Sequence, residues 1–422
     1  MKSKEKNMRL FSKIFISVLL LLVLIFSLCS CSSDTNFVTS RLDELGVPEF
    51  DHSKLKGIEV VYRDYYVEEL PPVEELTAKT SELYFEKFHS EIDTADKTAV
   101  TDALIHCYID VIGDDYSIYR SAKEYEDYGT DMSGTFYGIG VVVKYDHIEE
   151  TITVTEVYSG GGAHEAGIIP GDLIIRVDGE NLSDIGYNAT VNKIRGELNT
   201  RVEITVLRGS EEITVSATRK KVVEQTVSYS INENKVGYIK ITSFKSNTYS
   251  QFKEAIDYME DNGAVGIIYD LRSNPGGYLD SVVNMLSYIA PSGSDVVSFT
   301  NNYAKEIRDN NLHSVDLPSV VICDEGTASA GELFTAAMRD YSDLGYFDVT
   351  VVGKNTFGKG IMQSTYEFTD KSAITLTVAY YNPPSGENYH GVGIAPDVTV
   401  EMGEDTDTQL DAAYVEISKL IK

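Results

Sequence analysis

The chain has 422 residues, enough for two or three domains, and 42% hydrophobic with 24% charged side chains excludes a disordered polypeptide. Its 36 basic and 66 acidic residues give a formal net charge of -30. Such a chain repels phosphate backbones and anionic headgroups, which argues against nucleic-acid binding.

The N-terminus is basic, MKSKEKNMRLFSK, and residues 14–28 form an uncharged, apolar run broken only by Ser17 and Ser27. That length suits a signal-peptide core and is short for a stable span of ~20 residues. The following LCSC, residues 28–31, resembles the lipobox of bacterial lipoproteins. The resemblance implies a leader over 1–31, acylation of Cys31 and attachment to the outer side of the cytoplasmic membrane in a bacterial cell envelope. An uncleaved signal anchor from Phe11 to Cys31 is the competing reading. Outside the leader only Cys107 and Cys323 remain, each in an apolar pattern, so both are expected as core thiols and not as a disulfide or metal ligands.

Residues 32–70 read as a linker ending in a short strand, GIEVVYRDYYV. Pro71 and Pro72 open a helical region over 71–130. Leu76, Leu83 and Tyr84 line one face of its first helix, and Val100, Leu104, Cys107 and Val111 line one face of its second. From Gly138 the period shortens: GIGVVVKYD, TITVTEVY, DLIIRVDG, RVEITVLRG and EEITVSATRK predict short strands, with helices at HEAGI and YNATVNKIRGEL. This pattern predicts a compact, partly open β-barrel over 131–222. With GAHEAGIIPGDLIIRVDGENL it resembles a PDZ domain, and Phe136-Tyr137-Gly138-Ile139-Gly140 resembles its carboxylate-binding loop. Gly138 and Gly140 let consecutive N–H groups converge into an anion nest. A peptide's C-terminal carboxylate can sit there while its backbone adds a strand to the sheet edge; a structural turn is the plainer alternative.

Residues 223–403 alternate strand and helix, and 404–422 close with a helix. KVGYIKITSF, AVGIIYDLR, PSVVICDE, FDVTVVGK and SAITLTVAYYNPP are taken together as strands of one α/β layer, covered on both faces. Ligand chemistry in such sheets gathers at the carboxyl ends of strands. DLRSNPGG and DEGTASAGE stand at two such ends. Ser329 sits at a strand-to-helix turn, where Ser329 and Glu332 also match a capping box.

The third motif is NTFGKGIMQ. Gly358 and Gly360 flank Lys359, and in an extended strand Lys359, Ile361 and Gln363 share a face. Burial there would favour the neutral amine, which can act as a base towards serine. Lowering the pKa from ~10.4 to roughly 7–8 takes about 3–5 kcal/mol.

Together these motifs resemble the carboxyl-terminal processing, or tail-specific, proteases, from about residue 75 to the C-terminus. The matching segments are VIGDDYSIYRSAKEYEDYGTDMSGTFYGIG, DLRSNPGG, TASAGE, TFGKGIMQ and YNPPSGENYHGVGIAPDV. The resemblance implies an α/β multidomain protein: a crotonase/Clp-protease-like catalytic core, an inserted PDZ domain and an N-terminal helical region. It implies Ser329 as nucleophile, Lys359 as general base and Gln363 as the orienter of the lysine. It also implies an oxyanion hole from the backbone N–H of Ala330 and of Gly276 or Gly277. No metal or organic cofactor is implied. The partners implied are proteins or peptides with free, apolar C-termini, with homodimer formation as a further option. Asp115 stands where the family usually has proline, and Ser273 where asparagine is common.

Two rivals are kept in view. One is a non-catalytic PDZ scaffold for protein C-termini, which would require a broken dyad. The other is a Ser-His-Asp hydrolase, for which His313 and His390 are the histidines available in the catalytic half, neither in a recognisable triad motif.

Overall fold

A computed structural model describes residues 37–300, 305–309 and 313–421. The expected leader and Cys31 lie outside the described residues. Among those described, no helix is long and apolar enough to cross a membrane. The chain divides into two compact units, residues 37–64 with Glu68–Asp115, and Tyr65–Val67 with the chain from Tyr116 onwards.

The first unit is helical, with α1 (His52–Tyr65), α2 (Val73–Lys87) and α3 (Lys97–Ile112). The Asp96 carboxylate accepts from the N–H groups of Thr98 and Ala99, capping α3. Helices α2 and α3 pack together and bury Leu76, Tyr84, Val100, Leu104 and Cys107. The strand expected at GIEVVYRDYYV is instead the body of α1. Leu55, Ile58 and Tyr62 recur at helical spacing and are all buried, so tertiary packing overrides the β-branched run.

The second unit begins with β1 (Ile118–Arg120) and α4 (Ala122–Met132), then β2 (Thr135–Gly138). The PDZ-like segment continues with β3 (Val141–Asp146), β4 (Thr151–Val157), α5 (Gly162–Ala166), β5 (Leu173–Val177) and β6 (Glu180–Asn181). It closes with α6 (Leu182–Ile194), β7 (Arg201–Arg208), β8 (Glu211–Thr218) and β9 (Lys220–Val223). The sheet runs β3-β4-β5-β7-β8, with β6 on β5, and remains open. Ile152, Val154, Ile174, Ile204 and Val206 fill its core. Strands β2 and β9 form a separate antiparallel ribbon that joins the entry and exit of the inserted module. The buried Lys245 fixes this junction, its ammonium bonding Asp131 at 3.1 Å and Glu224 at 2.8 Å.

The core sheet has the order β10-β11-β12-β15-β16-β19. Its strands are β10 (Val227–Ile231), β11 (Val236–Ile241), β12 (Gly266–Asp270), β15 (Ser319–Cys323), β16 (Val349–Gly353) and β19 (Val398–Thr399). Apart from β10, neighbours pair in parallel. Helices α7 (Thr248–Asp261), α8 (Leu279–Ile289) and α9 (Ala330–Asp343) cover one face, and α10 (Thr408–Leu420) the other. Ile239, Ile267, Tyr269 and Val321 join Phe252, Leu286 and Phe334 on the first side. Ile268, Val320 and Ile322 meet Ala413 and Ile417 on the second. Burial on both faces explains the continuous apolar runs.

One expectation fails here. SAITLTVAYYNPP does not extend that layer. Its strand β18 (Ala373–Asn382) belongs to a second sheet with β1, β13 (Asp295–Thr300), β14 (Lys305–Asp309) and β17 (Ile361–Glu367). A short turn from β17 permits only antiparallel pairing, whereas joining the parallel layer needs a long crossover.

Cys107 and Cys323 are both fully buried. Burial pushes each thiol up to about 12, leaving roughly one part in 10⁴ as thiolate at pH 8. Iodoacetamide at pH 8 should therefore leave both unlabelled in the native protein and label both after denaturation. Peptide mapping by mass spectrometry checks this, and native labelling of either would contradict it.

Candidate active site

The parallel strands β12, β15 and β16 all deliver their carboxyl ends to one edge of the core sheet, followed by the segments carrying Gly276, Ser329 and Lys359. Ser329 immediately precedes α9 and has φ 54° and ψ -117°. This conformation costs a residue with a Cβ about 1–3 kcal/mol and persists only where its surroundings enforce it. A sharp strand-to-helix turn of this kind exposes a serine oxygen at the head of a helix. The N–H of Ala328 donates to Asn274 O at 2.9 Å, fixing the turn to the loop after β12.

Glu332 is the hub of the site, and the capping-box reading captured only part of its role. It is fully buried. Its Oε2 accepts from the N–H of Ser329 at 2.9 Å and of Lys359 at 2.7 Å. Its Oε1 accepts from Thr356 Oγ1 at 2.6 Å and from the N–H of Gly358 at 2.6 Å. One carboxylate thus ties the main chain of the serine to the main chain of the lysine. The Phe357 N–H adds a bond to Thr327 O at 3.0 Å.

Lys359 lies in the connection before β17 and is half-buried. Its Nζ stands over the Tyr116 ring, 4.7 Å from the centroid. Strand β17 starts at Ile361, two residues after Lys359. Its register against β18 shifts between Met362 and Gln363, where the partner steps from Ala379 to Thr377, so the extra residue is Val378 of β18 and β17 itself runs without interruption. Ile361 and Gln363 therefore share one face of β17, and Gln363 Nε2 donates to Ile361 O at 3.5 Å. Tyr381, on β18, donates its hydroxyl proton to Lys359 O at 2.8 Å and stands 3.4 Å from Ser329 Oγ.

Gly276 and Gly277 have φ of 100° and 145°. A Cβ at 276 would lie 2.8 Å from Ser329 Cβ and 3.0 Å from Ala330 N; one at 277 would lie 2.2 Å from Phe244 O. Close approach therefore requires glycine at both. The Gly276 N–H donates to Asn274 Oδ1 at 2.9 Å. Behind this loop the Arg272 guanidinium is clamped between Asp270 and Asp407, and Asp270 also accepts from Tyr238 OH at 2.7 Å. Sequence reasoning missed this network, Tyr381 and the extent of Glu332's contacts; the signal was the charge of DLR inside an apolar strand.

Of the two histidines, His313 stacks on Tyr288 and pairs with Glu260 at 3.2 Å. His390 packs edge-on against Tyr116 and Tyr380. Among the described residues no group of three or more His, Cys, Asp or Glu could hold a metal ion.

In the PDZ-like segment, Phe136, Tyr137 and Gly138 belong to β2, and Ile139 and Gly140 lead into β3. The carbonyls of Ile139 and Gly140 accept from Ala163 N–H at 2.7 Å and Tyr158 N–H at 3.0 Å. Trans peptide planarity then points the N–H groups of Gly140 and Val141 the opposite way. Strand β3 is an edge strand, paired with β4 alone. Tyr145 of β3 stacks on Tyr187 of α6 at 4.7 Å, so helix and edge strand meet there.

Residues 235–400 match peptidase family S41, and residues 153–208 match the PDZ domain. The chain is 32% identical over 395 residues to a "Probable CtpA-like serine protease" of Staphylococcus aureus (strain COL), across 92% of this chain and 72% of that protein. It is 34% identical over 310 residues to the "Carboxy-terminal processing protease CtpA" of Bacillus subtilis (strain 168), across 73% of this chain and 65% of that one. A solved "Putative S41 protease from Bacteroides fragilis NCTC 9343" shares the fold at 17% identity and TM-score 0.50, over 94% of this chain and 100% of that one.

Proposed function

This chain belongs to peptidase family S41, the serine-type carboxy-terminal processing proteases, and from that we propose that it is an exported endopeptidase with a Ser329–Lys359 dyad whose PDZ domain captures substrate tails. The observation that carries the reading is the strained Ser329 turn tied through Glu332 to the main chain of Lys359. In this reading the neutral Lys359 amine takes the Ser329 proton as Oγ attacks the substrate carbonyl. The tetrahedral oxyanion rests on the N–H of Ala330 at the head of α9 and on that of Gly277. Gly277 is chosen over Gly276, whose N–H is already engaged by Asn274. The protonated lysine then passes its proton to the leaving amine, and water attacks the acyl-enzyme by the same route in reverse. Gln363, two positions beyond Ile361 on β17, is read as the orienter of the Lys359 amine.

Tail capture uses Phe136 to Gly140. The outward N–H groups take the terminal carboxylate, and the peptide adds as a strand to the open edge of β3. The basic and apolar leader with its Cys31 supports export to the cell envelope with lipid attachment.

A model peptide with an apolar C-terminus tests the reading. With its carboxylate free it should be cut inside the tail, and amidation should slow cleavage roughly ten- to a hundredfold. That is the loss of one charge-assisted interaction of ~1.5–3 kcal/mol. Equal cleavage of acid and amide would refute tail reading by the PDZ domain.

A further inference from the structure

Tyr381 lies on β18, in the second sheet, and only 2% of it is exposed. Its backbone N–H donates to Gly360 O at 3.3 Å, and its ring is set edge-on to Tyr389. We propose that the Tyr381 hydroxyl is the positioning group of the reacting pair, its proton holding the Lys359 main chain and, as a second and weaker acceptor, Ser329 Oγ. The proposal rests on the reading of Ser329 and Lys359 as the dyad.

A phenol has one proton. At 2.8 Å the Lys359 carbonyl accepts it. Ser329 Oγ, at 3.4 Å, is a second and weaker acceptor of the same proton, long for a hydrogen bond between hydroxyls. A contact of that length limits where the serine side chain can turn without sequestering its proton, which stays available to a base. Burial pushes the Tyr381 phenol well above its usual range. The group keeps its proton throughout the working pH range, so it orients and does not act as a base.

Tyr381 and Glu332 hold the two ends of one peptide unit run. Glu332 takes the N–H of Lys359 and Tyr381 takes its carbonyl. Both main-chain polar groups of the lysine are thereby fixed, by one side chain from α9 and one from β18. The second sheet, missed as a separate layer in the sequence, supplies half of that grip.

The test is Tyr381→Phe in the full chain, which deletes one oxygen and keeps the ring. It is run beside wild type, Ser329→Ala and Tyr389→Phe, with kcat, KM and the pH–rate profile measured on a peptide. Tyr389 carries an equally buried hydroxyl that is within hydrogen-bond distance of neither Ser329 nor Lys359. The expected result is a fall in kcat of roughly 10–100-fold, as for a small misplacement of reacting atoms. KM should stay within about twofold, the basic limb of the profile should move, and Tyr389→Phe should match wild type. Wild-type kcat in Tyr381→Phe, or an equal loss in Tyr389→Phe, overturns the proposal while leaving the dyad intact. Hydrolysis by Ser329→Ala would instead sink the dyad reading itself. Should Tyr381→Phe fail to fold, 3-fluorotyrosine at 381 keeps the shape while altering the donor strength of the hydroxyl; an unchanged kcat there also overturns the proposal.

Discussion

Lys359→Arg should be as inactive as Ser329→Ala. Both should lose about 10⁴-fold or more in kcat, the scale of removing a member of a nucleophile–base pair. A guanidinium does not surrender its proton at any working pH, so it cannot accept one from serine. It would still reach the Tyr116 ring, over which Lys359 Nζ stands at 4.7 Å. The substitution therefore keeps the ring contact and removes the capacity to accept a proton. Peptide hydrolysis by the purified variants checks it, with circular dichroism to show that both are folded. Substantial turnover by Lys359→Arg would mean that the base lies elsewhere.

Glu332→Ala should cost about 3–5 kcal/mol of stability, since each buried donor left without an acceptor costs about 1–3 kcal/mol. Four donors lose their acceptor together: the N–H groups of Ser329, Gly358 and Lys359, and the hydroxyl of Thr356. The individual losses do not add, because all four share one carboxylate. Glu332→Gln keeps the shape but turns one acceptor atom into a donor facing donors, so it should also be destabilised, by less. Activity should fall with stability in both, since the strained Ser329 turn loses its anchor. Urea unfolding and peptide hydrolysis on the same preparations decide the matter. Stability within about 1 kcal/mol of wild type, with full activity, would show that the hub is dispensable.

Much of this protein was legible in residue patterns. The period-3.6 runs around Leu76 and Leu104 marked helices that pack as expected. The apolar runs at 266–270 and 319–323 marked strands buried on both faces. Local patterning misled where propensity and packing disagree, as in α1, whose β-branched residues face a helical core. It also gave no sign of the bulge at Val378, the extra residue of β18 opposite Met362 and Gln363.

Residue order alone settled the strand–turn–helix around Ser329, the alternation of strand and helix in the core sheet and the glycines that permit close approach, because these depend on neighbours within a few residues. Tertiary structure alone decided which strands share a sheet and which side chains meet. Glu332 reaches donors 24 to 27 residues away, and Tyr381 reaches a serine 52 residues earlier. Parallel strands must be joined by long crossovers, so the loops that meet at their carboxyl ends are distant in the chain. Periodicity reports that a face is buried and carries no record of what it is buried against.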